Sequence, residues 1–322
     1  MKTVFIVNPK AGKKNNIEKL IERIKCAAEN LKADVEIYKT RAVGDATEFV
    51  KKYCKEHGKT RFIACGGDGT LCEVLGGAFE YKDAEVGVLP MGTGNDFVKN
   101  FAADFSDIEA QITSHSERCD CIRFTTSDED GNEKVGYCAN MFNIGFDCNV
   151  ADAMSEMKKK PFVSGSLAYF LAIFATLVKK KGADLEIDID GETVHKGKLL
   201  LTSIANGCFC GGGIKSNPGA CVHDGLMNVN IIYNVSRLRF ITLLPYYMKG
   251  THMSLRGIDK VISNVGCRKI TLRPKGGKMR ICTDGEILSA GDTTFEILQD
   301  AFNFVVPVGT SNVLCKEKIT VS

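Results

Sequence analysis

Through the first hundred residues the apolar positions follow two alternating rhythms. Short apolar runs, KTVFIVNP, VEIYKT, RFIACGG and EVGVLPMG, are each about the length of one buried strand. Between them, NNIEKLIERIKCAAENLK and GDATEFVKKYCKEHG place apolar residues every three or four positions, and TLCEVLGGAF follows as a third helix. Strands alternating with helices predict a parallel, doubly wound α/β sheet, because parallel neighbours need a crossover connection.

After about residue 120 the pattern changes. CDCIRFTTS, LEIDIDG, KLLLTSIANG, LMNVNIIY, CRKITLRP, MRICTDGE and TTFEILQ read as strands, punctuated by Glu129-Asp130-Gly131, Asp190-Gly191 and Gly276-Gly277. They predict a second, mainly β domain with antiparallel strands, interrupted by helices near residues 164–181 and 236–249. No internal repeat or low-complexity tract is visible.

The composition fits a chain that folds. Of 322 residues, 44% are hydrophobic and 25% charged, enough for two domains with sizeable cores. A net charge of +3, with no basic stripe interleaved with aromatics, gives no reason to expect nucleic acid. The apolar start VFIV is cut off by Asn8 and Pro9, so it does not read as a signal peptide, and the fourteen cysteines are expected as reduced thiols in a cytoplasm. Cys119/Cys121 and Cys208/Cys210 are C-x-C pairs, which lack zinc-ribbon spacing and read as small buried hydrophobes. PFVSGSLAYFLAIFATLV, between two lysine triplets, is at the lower length limit for a membrane span; with Pro161, Ser164, Gly165 and Ser166 near one end, it reads as a buried or interfacial helix.

Candidate chemistry is concentrated in the loops that follow the N-terminal strands, where open α/β sheets bind ligands. Asn8-Pro9-Lys10-Ala11-Gly12-Lys13-Lys14 follows the first strand and offers a stiff exit, a tight turn and positive charge. Gly66-Gly67-Asp68-Gly69-Thr70 follows the third, and its glycines at a helix start can turn backbone amides toward an anion. Asp68 would repel a bare phosphate there, and makes sense with Mg²⁺ or with a substrate hydroxyl losing its proton. Gly92-Thr93-Gly94-Asn95-Asp96-Phe97 repeats the same logic after the fourth strand. Thr283-Asp284-Gly285-Glu286 puts two carboxylates around a turn glycine. Common nucleotide, zinc-protease and serine-hydrolase motifs are missing, and His57, His115, His195, His223 and His252 show no ligand spacing.

Taken together, Asn8-Pro9…Gly12, Gly66 to Thr70, Gly92 to Phe97 and Asp284-Gly285-Glu286 resemble the diacylglycerol kinase catalytic family, in particular its small bacterial lipid kinases. The resemblance covers nearly the whole chain. It implies an α/β nucleotide-binding domain like that of NAD kinases and phosphofructokinases over residues 1–120, with about 300–322 returning to it. It also implies a β-sandwich lipid-substrate domain over 121–299 and an active site in the cleft between the two.

By the same resemblance, ATP would lie against Asn8, Pro9, Lys10, Ala11, Gly12, Thr40, Gly66, Gly67, Asp68, Gly69, Thr70, Leu71, Cys72, Thr93, Asn95 and Asp96. Asp68, Asp96 and Asp120 would organise Mg²⁺ through water, and Asp284 and Glu286 would supply the base for the lipid hydroxyl. Asn217 to Leu226 resembles the family's structural Mg²⁺ loop, with Cys221, Asp224 and Leu226 as ligands. Cys72, where the family often has Asn, and Lys10-Ala11, where it has hydroxyl or small residues, are departures.

The implied function is an ATP-dependent lipid kinase of phospholipid metabolism, with diacylglycerol converted to phosphatidic acid. Such an enzyme would be cytoplasmic and peripheral to the inner face of the membrane, touching it through Lys13, Lys14, Lys19 and Arg23 or the lysine triplets. A homodimer is compatible with this picture. The alternatives are a soluble-substrate kinase like NAD kinase, which Gly92 to Phe97 fits poorly, and a non-catalytic binding module on the same fold.

Overall fold

A computed structural model describes residues 1–12, 17–127, 132–146, 148–150, 153, 182–283 and 286–307, with the backbone alone at 286. The chain forms two units, one comprising Met1–Cys121 and the chain from Gln299, the other Ile122–Leu298.

In the first unit, β1 (Lys2–Val7), β2 (Val35–Lys39), β3 (Thr60–Gly66) and β4 (Glu85–Pro90) are parallel and ordered β2-β1-β3-β4. The end of β16 (Thr293–Val305) closes the row by pairing Asn303 with Glu85 and Phe304 with Val86, again in parallel. The central strands are buried almost along their whole length, as a sheet covered on both faces demands: β3 is buried throughout and β1 beyond Lys2, with Phe5, Ile6, Phe62 and Ile63 all fully buried.

α1 (Ile17–Leu31) turns Ile17, Leu20, Ile21, Ile24 and Ala27 onto the sheet, packing with Phe5, Val7 and Ile63. α2 (Asp45–His57) starts beyond Gly44 in a left-handed conformation and ends at Gly58, also at positive φ, which lets the chain leave the helix without Cβ strain. α3 (Asp68–Ala78) lies against α2, where Gly77 permits the approach: a Cβ there would sit 2.6 Å from the Thr47 carbonyl.

The second unit is a sandwich. One layer contains β5 (Ser116–Ser127), β6 (Glu133–Cys138), β8 (Ala183–Ile189), β9 (Glu192–Leu199), β13 (Lys269–Pro274) and the first part of β16. The other is fully antiparallel and runs β12 (Ile262–Cys267), β11 (Met227–Ile232), β10 (Leu201–Ala205), β7 (Met141–Gly145), β14 (Met279–Thr283), β15 (Glu286–Ala290). Phe142 and Ile144 from the second layer meet Ile187, Ile270 and Phe295 from the first, with the Phe142 and Phe295 rings 4.9 Å apart.

Several details differ from the expected elements. KLLLTSIANG is two strands, not one: β9 ends at Leu199 and β10 begins at Leu201, because Leu200 turns its amide to Ile232 O (2.9 Å) and accepts from Phe146 N. A short helix, α4 (Ile108–Thr113), capped by the Asp107 side chain, was not legible, nor were β6, β7, β12 and β15 as separate strands. The expected helix at 236–249 is present as α5 (Arg237–Lys249). The one near 164–181 lies outside the described residues, as does most of the apolar segment around it. Among the described residues no helix is long and apolar enough to cross a membrane. The C-x-C cysteines Cys119, Cys121 and Cys208 are buried, and burial pushes the Cys208 thiol up to about 11.

Candidate active site

The parallel register of the first unit brings four loops to one sheet edge. Val7 is level with Lys39 and Cys65, and Gly66 with Pro90, so Asn8, Thr40, Gly67 and Met91 all leave strands at the same end. Two backbone bonds fasten neighbouring exits, Asn8 N to Cys65 O (3.1 Å) and Met91 N to Gly66 O (2.8 Å). Asn8 also donates from Nδ2 to Thr70 Oγ1 at 3.0 Å, tying the first loop to the start of α3.

The glycines have different uses. Gly67 and Gly92 press backbone to backbone: a Cβ on Gly92 would stand 2.6 Å from Gly67 Cα, and one on Gly66 would stand 2.2 Å from Thr70 Oγ1. Gly69 is the exception, exposed in the first turn of α3 with nothing within 4 Å of where its Cβ would be. Helix geometry leaves the leading amides of α3 without intrahelical acceptors, and the N-cap residue, Gly67, has no side chain to cap them. These amides lie next to open space over Gly69, an arrangement that can accept an anion.

Asp68 belongs to that turn but points elsewhere. Its Oδ1 accepts the amide of Asp96 at 2.7 Å and that of Phe97 at 3.4 Å, so its carboxylate orders the neighbouring loop. Its Oδ2 and the Oδ2 of Asp96 both lie within 3.5 Å of the point where a Cβ on Gly94 would sit. Burial, and then the Asp96 charge, hold the Asp68 carboxyl above the usual aspartate range, against the opposing pull of the amides of Asp96, Phe97 and Asn95. Asp96 is itself buried and paired with Lys99, whose Nζ donates to Asp96 Oδ1 and to Gly94 O, both at 2.7 Å. Sequence reasoning missed Lys99, although its i,i+3 spacing from Asp96 was the available signal.

Other sequence candidates take more local roles. Asn95, left-handed at φ 49°, closes its own loop by accepting from Gly92 N and donating to Gly92 O. Thr93 is exposed on that loop, Thr40 is half-buried with its amide on Val7 O, and Cys72 is half-buried one turn into α3. Leu71 turns its side chain into the core. In the first loop Lys10 N and Ala11 N are engaged by Asn8 Oδ1 and Asn8 O, with Pro9 and Lys10 exposed and Gly12 at φ 72°.

Asp120 is fully buried and accepts the amide of Asp300, a left-handed residue, at 2.9 Å, fixing the bend of β16. In the second unit Asp224 accepts the amide of Leu226 at 3.0 Å, closing the loop that contains Cys221. Among the described residues no three His, Cys, Asp or Glu side chains gather as a metal cluster. Asp284 and the side chain of Glu286 lie outside the described residues.

Residues 2–124 match the family model of the diacylglycerol kinase catalytic domain, and residues 140–306 match that of the YegS C-terminal NAD kinase beta sandwich-like domain. A curated Pseudomonas fluorescens protein named "Probable lipid kinase YegS-like" is 30% identical over 284 residues, 85% of this chain and 87% of that one. A diacylglycerol kinase of Staphylococcus carnosus is 28% identical over 253 residues, 77% of this chain and 78% of its own. A crystal structure of a diacylglycerol kinase from Bacillus anthracis superposes with a TM-score of 0.67 at 19% identity, covering 95% of this chain and 97% of that one, a likeness of fold.

Proposed function

The chain belongs to the diacylglycerol kinase family of lipid kinases, and from that premise we propose that it transfers the γ-phosphoryl group of ATP to a lipid hydroxyl, converting diacylglycerol to phosphatidic acid. The observation that carries this reading is the Asp68–Asp96 pair beside an uncapped, glycine-flanked helix start. Phosphoryl transfer needs little covalent help from the protein, but it needs phosphates held in place and spreading negative charge neutralised.

The leading amides of α3 would hold phosphate oxygens, with Gly69 leaving the approach clear. The two carboxylate oxygens facing Gly94 suit Mg²⁺, a hard cation that takes one or two carboxylates and keeps several waters, so a three-carboxylate cage is not required. When bound, that ion would neutralise charge on the transferred phosphoryl group. Lys99 would keep Asp96 oriented, and Asp68 would keep the Gly92 to Phe97 loop in register with α3. The acceptor proton is assigned to a carboxylate of the Asp284-Gly285-Glu286 turn, and the Cys221, Asp224 and Leu226 loop to a structural Mg²⁺. A lipid acceptor implies work at the cytoplasmic membrane surface.

The deciding experiment incubates the purified chain with labelled ATP and Mg²⁺ against a panel of lipids in mixed micelles, with NAD as the soluble control. Label in phosphatidic acid from diacylglycerol, lost in Asp68→Ala, supports the reading. Label in NAD and in no lipid overturns it, and an Asp68→Ala enzyme with wild-type turnover removes the role given to that carboxylate.

A further inference from the structure

The loop that ends in Asp96 continues into a single 3-10 turn, Phe97–Asn100. Phe97 is fixed in the core of the first unit, its ring 4.9 Å from that of Phe304 and 5.7 Å from that of Phe101. Asn100, also buried, donates from Nδ2 to Phe97 O at 2.8 Å and closes the turn from within. The turn is therefore held by its buried residues, and Lys99 is free of that duty. Its side chain folds back over the preceding loop, where Nζ reaches Asp96 Oδ1 and Gly94 O. The two partners differ in freedom: the Lys99 side chain is 32% exposed and that of Asp96 only 9%. The ammonium can swing into solvent while the carboxylate stays where the loop puts it.

Asp96 has a second oxygen, and it faces the place suited to a divalent cation. A Cβ on Gly94 would stand 3.5 Å from Asp96 Oδ2 and 2.7 Å from Asp68 Oδ2, so these two oxygens converge on one point. One carboxylate thus has the Lys99 ammonium on one oxygen and the cation's place beside the other. Two carboxylates and one ammonium leave a single net negative charge there. A divalent cation a few ångströms from a fixed ammonium is repelled by it even with water screening, and Mg²⁺ sheds its own waters reluctantly. A free cation meets a pair of carboxylates that is already partly neutralised. A cation carried on a polyphosphate brings the missing negative charge with it.

We propose that Lys99 is a resident counter-cation that reserves the Asp68–Asp96 pair for a metal–nucleotide complex: without nucleotide its ammonium holds free divalent cations off, and it gives way when a polyphosphate brings the cation in. The proposal deepens the kinase reading and rests on it only for the identity of the polyphosphate. Lys99 is a positioning residue in this account, since it acts through Asp96.

Mn²⁺ suits the same oxygen ligands as Mg²⁺, and its EPR signal reports the free ion directly, without turnover. The full chain carrying Asp224→Asn, which keeps the second-unit loop from contributing a carboxylate, serves as the parent and is titrated with MnCl₂. Without nucleotide, adding Lys99→Met should tighten Mn²⁺ binding at least about tenfold, whereas Lys99→Arg, which retains the charge, should stay with the parent. Adding Asp96→Asn to Lys99→Met should abolish the gain. With a non-hydrolysable ATP analogue present, the gap between the parent and Lys99→Met should shrink below about threefold.

Equal nucleotide-free affinity in the parent and Lys99→Met overturns the proposal, as does a Lys99→Arg chain that binds as tightly as Lys99→Met. A gain that survives Asp96→Asn, or a gap that the ATP analogue leaves undiminished, overturns it as well. If Lys99→Met does not fold, Lys99→Gln takes its place with the same expected gain and the same overturning results. The predicted Mn²⁺ behaviour in a chain that phosphorylates no lipid would leave the role of Lys99 standing and sink the lipid-kinase reading. Lipid phosphorylation without that behaviour would do the reverse.

Discussion

The carboxylate of Asp68 accepts the backbone amide of Asp96 at 2.7 Å, so the two glycine-rich loops of the sheet edge are held together by one charged side chain. That bond gives Asp68 two separable duties, an acceptor for the neighbouring loop and a negative charge beside Asp96.

Asp68→Asn separates them. The amide oxygen still accepts from Asp96 N, while the charge is lost. Turnover in a lipid kinase assay should fall at least about a hundredfold, the scale of removing one electrostatic group from a phosphoryl-transfer site. The melting temperature should stay level or rise, because a buried charge beside a second carboxylate has been removed. Asp68→Ala, which loses both duties, should lose thermal stability as well.

The same pair predicts a pH dependence. The folded state raises the Asp68 carboxyl above its unfolded value, so the folded chain binds that proton more tightly than the unfolded one. The group therefore favours folding below the unfolded value and ceases to do so as pH rises through the folded value. The stability gain of Asp68→Asn over wild type should be largest at neutral pH and shrink on acidification toward pH 4, as measured by urea melts across that range.

His252 runs the opposite way. Its folded value of about 4 lies below the ordinary histidine range, so between roughly pH 6.5 and 4 the unfolded chain takes up a proton that the folded chain refuses. Wild-type melting temperature should fall through that window more steeply than that of His252→Leu.

Gly69 and Gly94 should respond differently to alanine. At Gly69 the added methyl meets nothing and α3 gains helix propensity, so stability should hold or rise by up to about 1 kcal/mol. The methyl stands in the approach to the α3 amides, and the KM for ATP should increase. At Gly94 the methyl would lie 2.7 Å from Asp68 Oδ2, so turnover should fall with little change in the KM for ATP. Steady-state kinetics on the two variants separates these effects.

Arg61 offers a test away from the chemistry. It is 4% exposed, reaches Glu85 Oε2 at 2.6 Å and donates to the carbonyls of Gln111, Ile112 and Ser114. Arg61→Ala strands a buried carboxylate and three carbonyls and should cost about 3–5 kcal/mol in chemical denaturation, whereas Glu85→Gln should cost less.

The α/β half was legible because its elements carry a long, strong signal: strands with a continuous apolar run, such as FIAC in β3, and a helix such as α1 with five core residues on one face. The sandwich was less so. β12, ISNVGC, buries only its end residues, and β7, MFNIG, is buried on successive positions without alternation, so neither has the period that marks a strand in a sequence. The glycine loops were legible as chemistry, but not the division of labour within them. Gly92 is excluded from bearing a side chain by Gly67, a contact between residues 25 apart, and Asn95 closes its own loop, although its sequence context is that of a ligand contact. His252 carried no motif at all, since its interest lies in its complete burial, which only packing creates.

The end of β16 has a practical consequence for dissecting the chain. A fragment stopped at Cys121 would contain all four loops of the sheet edge, yet β4 would lose the neighbour that pairs Asn303 with Glu85 and Phe304 with Val86. Val86 and Val88, nearly inaccessible in the whole molecule, would then flank a bare parallel edge, a template for strand-to-strand association. Such a fragment should precipitate or self-associate on expression, and a soluble minimal nucleotide domain would have to carry the β16 end fused back beside β4.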